Sequence, residues 1–372
     1  MTYFNRSTVN EFNSSITLTT TEINTNPIEA YPFPLMAPMI FVGFLTMIGI
    51  PGNILVLVVY SMKRIPSAQR TIILAMAVYD LFVCTITLPF EFYDLFIHLN
   101  FPELWICKIF RTFNYFFVFN SSSIIQVMTI ERFRRVCRPL QIQMSARIAL
   151  MCIITICFAS AVVTIPNLFI RGLHTVRFGD NHTGHDCSIA EKFIGSKLVI
   201  YYNAALLMIS IANIASVVIQ YIFIGRQIYK HFQFLKRFRS KSHLKNQTSV
   251  ISFISIEDNT TCDRSNTEHN HKRCKSPNNN KAVVDAGDRT SYKSTLIAVI
   301  VSVFFIISYV PTLTENVLEA IYGEEYIGMF ISLPVRNIIE KAFAINHVVN
   351  PFIYGFLDTK FRTDCRKILI CC

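Results

Sequence analysis

Residues 342–357 read Ala-Phe-Ala-Ile-Asn-His-Val-Val-Asn-Pro-Phe-Ile-Tyr-Gly-Phe-Leu and carry no Asp, Glu, Lys or Arg. Within an apolar helix, a proline removes one backbone hydrogen bond and frees a carbonyl oxygen. We expect the Asn350 side chain and water to satisfy the carbonyl that Pro351 frees. The stretch therefore predicts a hydrated, bendable joint at membrane depth, in the last of seven long apolar segments.

The composition of the chain indicates a membrane protein. Hydrophobic residues make up 52% and charged residues 16%, a charged share well below that of soluble domains. Four segments lack Asp, Glu, Lys and Arg and are long enough to cross a bilayer: 35–62, 148–170, 198–225 and 294–314. Three more hold a few ionisable residues: about 71–97, 104–136 and 329–357. The sequence predicts an all-α membrane protein, a seven-transmembrane helix bundle with an amphipathic eighth helix.

The distribution of basic residues predicts the orientation. Most of the 35 Lys and Arg residues fall in the loops after the first, third, fifth and seventh segments, which places those loops in the cytoplasm. The N-terminus is then extracellular and the protein a multi-pass plasma-membrane protein. The net charge of +11 faces anionic lipid, so a nucleic-acid partner is not expected.

Three regions follow from this orientation. We expect residues 1–34 to form an extracellular glycosylated leader, 35–357 the bundle and 358–372 an amphipathic helix with a cysteine-bearing C-terminus. The third inner loop, about 236–292, is rich in Asn, Ser, Thr, Lys and Arg, which predicts disorder.

Several modification sites are predicted from the same topology. Glycosylation sequons on the outer side begin at Asn5, Asn13 and Asn181. Cys107 and Cys187 are the only two of the 11 cysteines predicted outside, which favours a disulfide between them. Candidate palmitoylation sites beside the inner leaflet are Cys365, Cys371 and Cys372.

Asp80 lies in the middle of the second segment, where a carboxylate is costly unless it is paired, hydrated or protonated. Ser121, Asn346 and Asn350 lie at comparable depths and offer oxygen ligands. The set is typical of a site for a small hard cation such as Na⁺, or of a hydrogen-bonded network without an ion. Apart from this Na⁺, no cofactor is expected.

Glu131-Arg132-Phe133 ends the third segment just before a basic turn. Glu131 could hold Arg132 in one state and release it to a cytoplasmic partner in another, with Leu140 as an apolar anchor for that partner. The alternative is an arginine that snorkels to the interface.

The outer halves of the segments carry a candidate ligand pocket. Its members are Glu91, Arg111, Asn114, Tyr202, Asn316, Arg336 and Glu340. A mouth with both charge signs and many aromatic rings suits a polar peptide better than a lipid or steroid. The alternative is that these charges pair with one another.

Taken together, the motifs resemble those of the rhodopsin-like (class A) G-protein-coupled receptors. The matching residues are Gly52-Asn53, Leu74-Ala75 with Asp80, Cys107, Glu131-Arg132-Phe133, Phe305, Pro311 and Asn350-Pro351-X-X-Tyr354. The resemblance implies an extracellular ligand, a heterotrimeric G protein and arrestin as partners, and no catalytic residues. It also implies switch residues Phe305, Tyr309, Pro311 and Pro351, and coupling residues Glu131, Arg132, Leu140, Tyr221 and Tyr354.

Departures from the family pattern narrow the range of ligand classes that this chain could bind. Tyr309 stands where the family's toggle tryptophan is expected, and Asn213 replaces the usual proline of the fifth helix. Asn114 stands where amine receptors carry Asp, and Ala344 stands where opsins carry the retinal-bearing Lys. The chain looks most like neuropeptide receptors, of invertebrate types near the cholecystokinin and orexin receptors.

Two alternatives belong to other classes of protein, and a third differs only in the ligand. A secondary transporter would show internal repeats and paired broken helices, which we do not find in the sequence. An enzyme would need an acid-base or metal constellation, so no catalysis is expected. A receptor for a lipid or another small molecule remains an alternative to the peptide receptor.

Overall fold

The computed structural model describes residues 32–63, 65–97, 100–178, 182–253, 278–322 and 331–371. The sequons at Asn5, Asn13 and Asn181, and Cys372, lie outside these ranges.

The helices are α1 Pro32–Ser61, α2 Ala68–Phe82, α3 Leu88–Phe96, α4 Leu104–Cys137, α5 Ala146–Thr164, α6 Asn167–Ile170, α7 Lys197–Phe253, α8 Asn278–Tyr322, α9 Leu333–Glu340, α10 Ala344–Leu357 and α11 Thr359–Cys371. The strands are β1 Arg171–Phe178 and β2 His182–Ile189.

The helices build the seven rods of the predicted bundle, with α2–α3, α5–α6 and α9–α10 each forming one rod. Among the described residues, five rods are long and apolar enough to cross a membrane: Pro34–Ser61, Ala68–Phe96, Ala146–Ile170, Lys197–Phe234 and Lys293–Leu318. The other two rods are α4 and α9–α10. Helix α4 packs against α2, α5, α7 and α8, and α10 packs against α1 and α8, so both belong to the same bundle.

Local sequence explains where helices begin. Ser67 precedes α2 and its side chain accepts the N–H of Arg70 at 3.2 Å. Ser145 precedes α5 and accepts the N–H of Ile148 in the same way. Asp358 precedes α11 and accepts the backbone N–H of Lys360 at 2.9 Å. These side chains replace hydrogen bonds that the first turn of a helix otherwise lacks.

A π turn, Val83–Thr87, joins α2 to α3. Its widened turn ends where the Leu88 N–H bonds the carbonyl of Val83. Pro89 follows at once, and a proline has no N–H and crowds the carbonyl four residues before it. The wider turn absorbs that misfit, as π turns in long helices often do.

The helices run further into the third inner loop than the sequence predicts. Helix α7 continues to Phe253 and α8 begins at Asn278, while residues 254–277 lie outside the described ranges. Residues 226–253 contain neither Gly nor Pro, so no residue there breaks the helix that leaves the bundle.

A β-hairpin caps one end of the bundle, a feature that the all-α prediction did not include. Its register runs from Arg171 opposite Ile189 to Phe178 opposite His182. We call this the disulfide end, and the opposite end the Arg132 end.

The predicted disulfide is confirmed. Cys187 of β2 is joined to Cys107 near the start of α4, and both side chains are buried. Trp105, the only tryptophan of the chain, lies two residues before Cys107 and is 63% exposed. The hairpin is therefore tied covalently to the central helix at this end.

Replacing both Cys107 and Cys187 with alanine should lower the stability of the receptor by about 2–5 kcal/mol, because the bond closes a loop with a sequence separation of 80. Thermal unfolding of the purified receptor measures the effect. Cys157→Ala, at a half-buried free cysteine, is the control and should shift unfolding much less. Non-reduced peptide mapping of receptor from the cell surface that finds free thiols at both positions would contradict the Cys107–Cys187 disulfide.

Candidate functional site

An ion-pair cluster lies at the disulfide end. Arg111 of α4 contacts Glu91 at 3.0 Å and Asp94 at 2.7 Å, and both acids belong to α3. Lys341, just after α9, lies 3.5 Å from Glu91. Asn114 donates a hydrogen bond of 2.7 Å to the same Glu91 carboxylate. The structure thus brings Glu91, Arg111 and Asn114 together as predicted and adds Asp94 and Lys341.

A second group of charges continues the cluster toward α8. Arg336 lies 2.9 Å from Glu315 and 3.2 Å from Glu340. Asn316, which the sequence placed in the pocket, is exposed and donates to the carbonyl of Thr312 in its own helix. Successive helical residues point about 100° apart, so α8 turns Glu315 inward and Asn316 outward. The sequence pattern identified the right turn of the helix but the wrong side chain.

These charges neutralise one another. Glu91, Glu315 and Lys341 are each less than 5% exposed. Burying an ion without a partner is very unfavourable, so each of these groups needs the opposite charge beside it. The self-pairing that the sequence left open as an alternative is therefore present, and it ties α3, α4, α8 and α9 together.

Arg171, at the start of β1, has a different environment. Its guanidinium contacts the hydroxyl of Tyr115, lies 5.1 Å from the centre of that ring, and donates weakly to Asn167. Tyr202, predicted for the pocket, accepts a hydrogen bond from Asn167 and donates to the carbonyl of Val163. Within the described ranges, no carboxylate lies within 4.0 Å of the Arg171 guanidinium.

The sequence did not identify Arg171 as a site residue, because a charged residue directly after the fourth apolar segment is typical of a loop. The available signal was its position directly after an apolar segment and four residues after the polar Asn167. In the structure, Arg171 is a half-buried cation, and its partners among the described residues are neutral.

Asp80 is surrounded in the middle of the bundle. Its Oδ1 lies 2.8 Å from Nδ1 of His347, and its Oδ2 accepts a 2.8 Å hydrogen bond from Asn350. Ser121 makes a longer contact of 3.5 Å to Oδ1. Asn346 is fully buried, but neither of its amide atoms has a hydrogen-bond partner among the described residues. Of the predicted set, Ser121 and Asn350 contact Asp80, and His347 is an added contact.

The arrangement around Asp80 does not fit a sodium site. A hard cation takes oxygen ligands, whereas nitrogen atoms of His347 and Asn350 make the two shortest contacts to the carboxylate. The signal that could have identified His347 is that it is the one titratable side chain of residues 342–357 besides Tyr354.

The carbonyl freed by Pro351 is satisfied from another helix. That carbonyl belongs to His347, and Nδ2 of Asn53 in α1 donates to it at 2.9 Å. Asn350, which we expected to serve this carbonyl, bonds Asp80 instead. A Cβ at Gly52 would lie only 3.0 Å from the Pro351 ring, so glycine permits this close approach of α1 and α10. The expected partner was wrong because the sequence does not show which helix packs beside the proline.

The predicted switch residues form a row of rings leading to His347. The Phe305 and Tyr309 ring centres are 4.6 Å apart, and Tyr309 lies 6.4 Å from Phe343. Phe343 in turn lies 6.2 Å from the His347 ring. Pro311 is within α8, just beyond Tyr309. Movement of α8 at this level would therefore press on the group that holds Asp80.

At the Arg132 end, Arg132 is paired and covered. Its Nε lies 3.0 Å from Glu131, and the two side chains are 1% and 2% exposed. Arg132 lines a small cavity with Ser294 and Ala298 of α8. A snorkelling arginine would reach solvent, so the structure favours the alternative in which Glu131 holds it.

The other coupling residues lie at the same end of the bundle as this buried pair. Tyr221 of α7 accepts a 3.0 Å hydrogen bond from Ser302 of α8. Tyr354 is buried against Tyr60, with ring centres 5.8 Å apart. Leu140 is fully exposed in the turn after α4, as an apolar anchor for a partner would be.

Helix α11 separates the predicted palmitoylation sites. Cys365 is half-buried and packs against the core beside Ile368, and burial raises the pKa of its thiol. A thiol kept neutral and turned toward the bundle is a poor nucleophile for acylation. Cys371 is described only in its backbone and Cys372 not at all, so their acylation stays a prediction.

Comparison with known proteins places these features in context. Residues 52–354 match the family described as 7 transmembrane receptor (rhodopsin family). The chain is 25% identical over 348 residues to a cholecystokinin receptor of Xenopus laevis, covering 88% of this chain and 75% of that protein. It is 22% identical over 348 residues to the cholecystokinin receptor type A of Cavia porcellus, covering 88% and 79%.

Asn53→Ala should destabilise the receptor by about 1–3 kcal/mol, because it leaves the buried carbonyl of His347 without a donor. Asn316→Ala is a matched control, since Asn316 is exposed and bonds only its own helix. Thermal unfolding of both purified variants provides the comparison. Equal unfolding temperatures for the two variants would show that the carbonyl has another partner.

Proposed function

Because this chain belongs to the 7 transmembrane receptor (rhodopsin) family, we propose that the ligand of this G-protein-coupled receptor is an extracellular peptide with an anionic group. The observation that carries the proposal is Arg171, a half-buried cation with neutral partners. The relatives named above are cholecystokinin receptors, and cholecystokinin is a peptide.

The self-paired cluster makes Arg171 the better anchor for a ligand charge. Arg111, Arg336 and Lys341 already face carboxylates at 3.5 Å or less. A ligand carboxylate that bonded one of them would compete with those acids. At Arg171 it would instead gain a charge-assisted hydrogen bond, worth roughly 1.5–3 kcal/mol, without displacing a protein carboxylate.

The position of Arg171 supports a ligand that enters from the disulfide end. Arg171 reaches Tyr115 of α4 from the first residue of β1, and Asn167 and Tyr202 border it. We place this end outside the cell, since disulfides persist in oxidising surroundings, and the N-terminus with it. The same orientation puts the many basic residues of the third inner loop in the cytoplasm.

Signalling in this proposal begins from a closed state. Arg132 is buried beneath α8, so no cytoplasmic partner reaches it until α8 moves away. Pro311 is where α8 bends most readily, because proline interrupts its hydrogen-bond ladder. A ligand that shifts the Tyr309 and Phe343 rings favours the open form. The size of this effect equals the difference between the ligand's binding free energies for the open and the closed form.

Opening of α8 would expose Arg132 beside the projecting side chain of Leu140. A heterotrimeric G protein, and after it arrestin, would meet the receptor on this surface. The receptor performs no chemistry of its own in this scheme; it catalyses nucleotide exchange only through the shape of the opened surface.

The first experiment is a screen of neuropeptide pools against cells that express the chain, read by calcium and cyclic nucleotide. An agonist found in this way supplies the ligand for the two tests below. A response to lipid extracts and to no peptide pool would count against the peptide proposal.

Arg132→Ala should reduce agonist-stimulated nucleotide exchange at least tenfold while surface expression stays near normal. Folding survives because Arg135 still pairs with Glu131 after the change. Radiolabelled GTP-analogue binding to membranes measures exchange, with Lys192→Ala at the disulfide end as the control. Wild-type exchange by the Arg132 variant would remove this residue from the coupling surface.

Arg171→Gln should weaken an acidic agonist about tenfold, or about 1.4 kcal/mol, and should have little effect on an analogue whose anionic group is amidated. Arg171→Lys should restore part of the potency, because it restores the charge. Lys192→Ala, a cation nearby in the same outer loop, is the control. Equal losses for the acidic and amidated peptides would mean that Arg171 does not contact the anion.

A further inference from the structure

Three neighbouring side chains contact the carboxylate of Asp80. His347 lies 2.8 Å from Oδ1, Asn350 donates to Oδ2 at 2.8 Å, and Ser121 adds a 3.5 Å contact. Asp80, Ser121 and His347 are fully buried and Asn350 is 2% exposed. At this depth a carboxylate is costly unless it is paired, hydrated or protonated, and His347 is the side chain placed to pair with it.

The short contact fixes where a hydrogen must be. At 2.8 Å, Nδ1 of His347 and Oδ1 of Asp80 share one hydrogen, which Nδ1 carries when the carboxylate is ionised, because an ionised carboxylate only accepts hydrogen bonds. This positive hydrogen occupies one face of the carboxylate, where a cation would otherwise bind.

His347 is fixed at its backbone by a hydrogen bond, and its ring packs beside another ring. Asn53 bonds its backbone carbonyl at 2.9 Å, and the Phe343 ring lies 6.2 Å from the imidazole. Within the described ranges, Asp80 is the one acidic group within ion-pair distance of His347. A mobile ion would have to displace a nitrogen that the surrounding packing keeps in place.

We propose that the imidazole of His347 replaces a sodium ion at Asp80, so that this receptor is insensitive to Na⁺ and becomes sensitive once the imidazole is removed. The oxygens that would then face the ion are those of Asp80, Ser121, Asn346 and Asn350. Asn346 is suited to this, since its side-chain oxygen has no partner among the described residues. The inference does not depend on the identity of the ligand.

Thermal unfolding of the purified full-length receptor in lipid nanodiscs tests this, with Na⁺ itself as the probe. Unfolding temperatures are compared in NaCl, KCl and choline chloride at equal concentration, for wild type, His347→Ser and the double variant Asp80→Asn/His347→Ser. We expect no Na⁺-specific shift in wild type. His347→Ser should gain a saturable, Na⁺-specific rise of at least about 2 °C, which the double variant should lose.

A Na⁺-specific rise that persists in the double variant would overturn the proposal, because the ion would then bind away from Asp80. A Na⁺-specific rise in wild type would overturn the proposal, because the ion would then bind with His347 in place. No rise in either wild type or His347→Ser would also overturn it, because removal of the imidazole would have opened no cation site. If His347→Ser does not fold, His347→Asn is measured instead and interpreted by the same criteria.

Discussion

The backbone carbonyl of His347 has no partner in its own helix, because Pro351 lacks the N–H that would reach it. Asn53 supplies the missing donor from α1, at 2.9 Å, and Gly52 lets the proline ring come close enough for that bond to form. A hydrogen bond inside a bilayer has no water to replace it when it breaks. This pair therefore joins the first and last rods at the level of Pro351, and it fixes the residue that faces Asp80.

From that fixed point the structure reaches both ends of the bundle. The imidazole of His347 bonds Asp80 of α2, and the rings of Phe343 and Tyr309 continue from it to α8. Helix α8 in turn covers Arg132 at one end and presents Glu315 to the ion-pair cluster at the other. A shift of α8 alters both ends together, which is the physical requirement for a signal to cross the membrane.

The sequence was sufficient for features that depend on composition or on a single chemical rule. Apolar segment length predicted the bundle, and compartment predicted the Cys107–Cys187 disulfide. It was insufficient wherever the answer depended on rotation or on a neighbour in another rod. Glu315 and Asn316 are adjacent on one helix, and the helical rotation between them turns the first inward and the second outward. Packing between helices decides that Asn53, and not Asn350, donates to the freed carbonyl. The hairpin and Arg171 were missed because their roles arise only when the loop folds back onto α4.

Trp105 gives this receptor an intrinsic fluorescence that comes from one known position. As the only tryptophan of the chain, it is the source of all fluorescence excited at the red edge of indole absorption. It is 63% exposed and lies beside the disulfide that ties the hairpin to α4. The emission wavelength and quenching of the unlabelled protein therefore report how exposed this one position near the disulfide is to water. The arrival of a ligand there can be timed without attaching a dye.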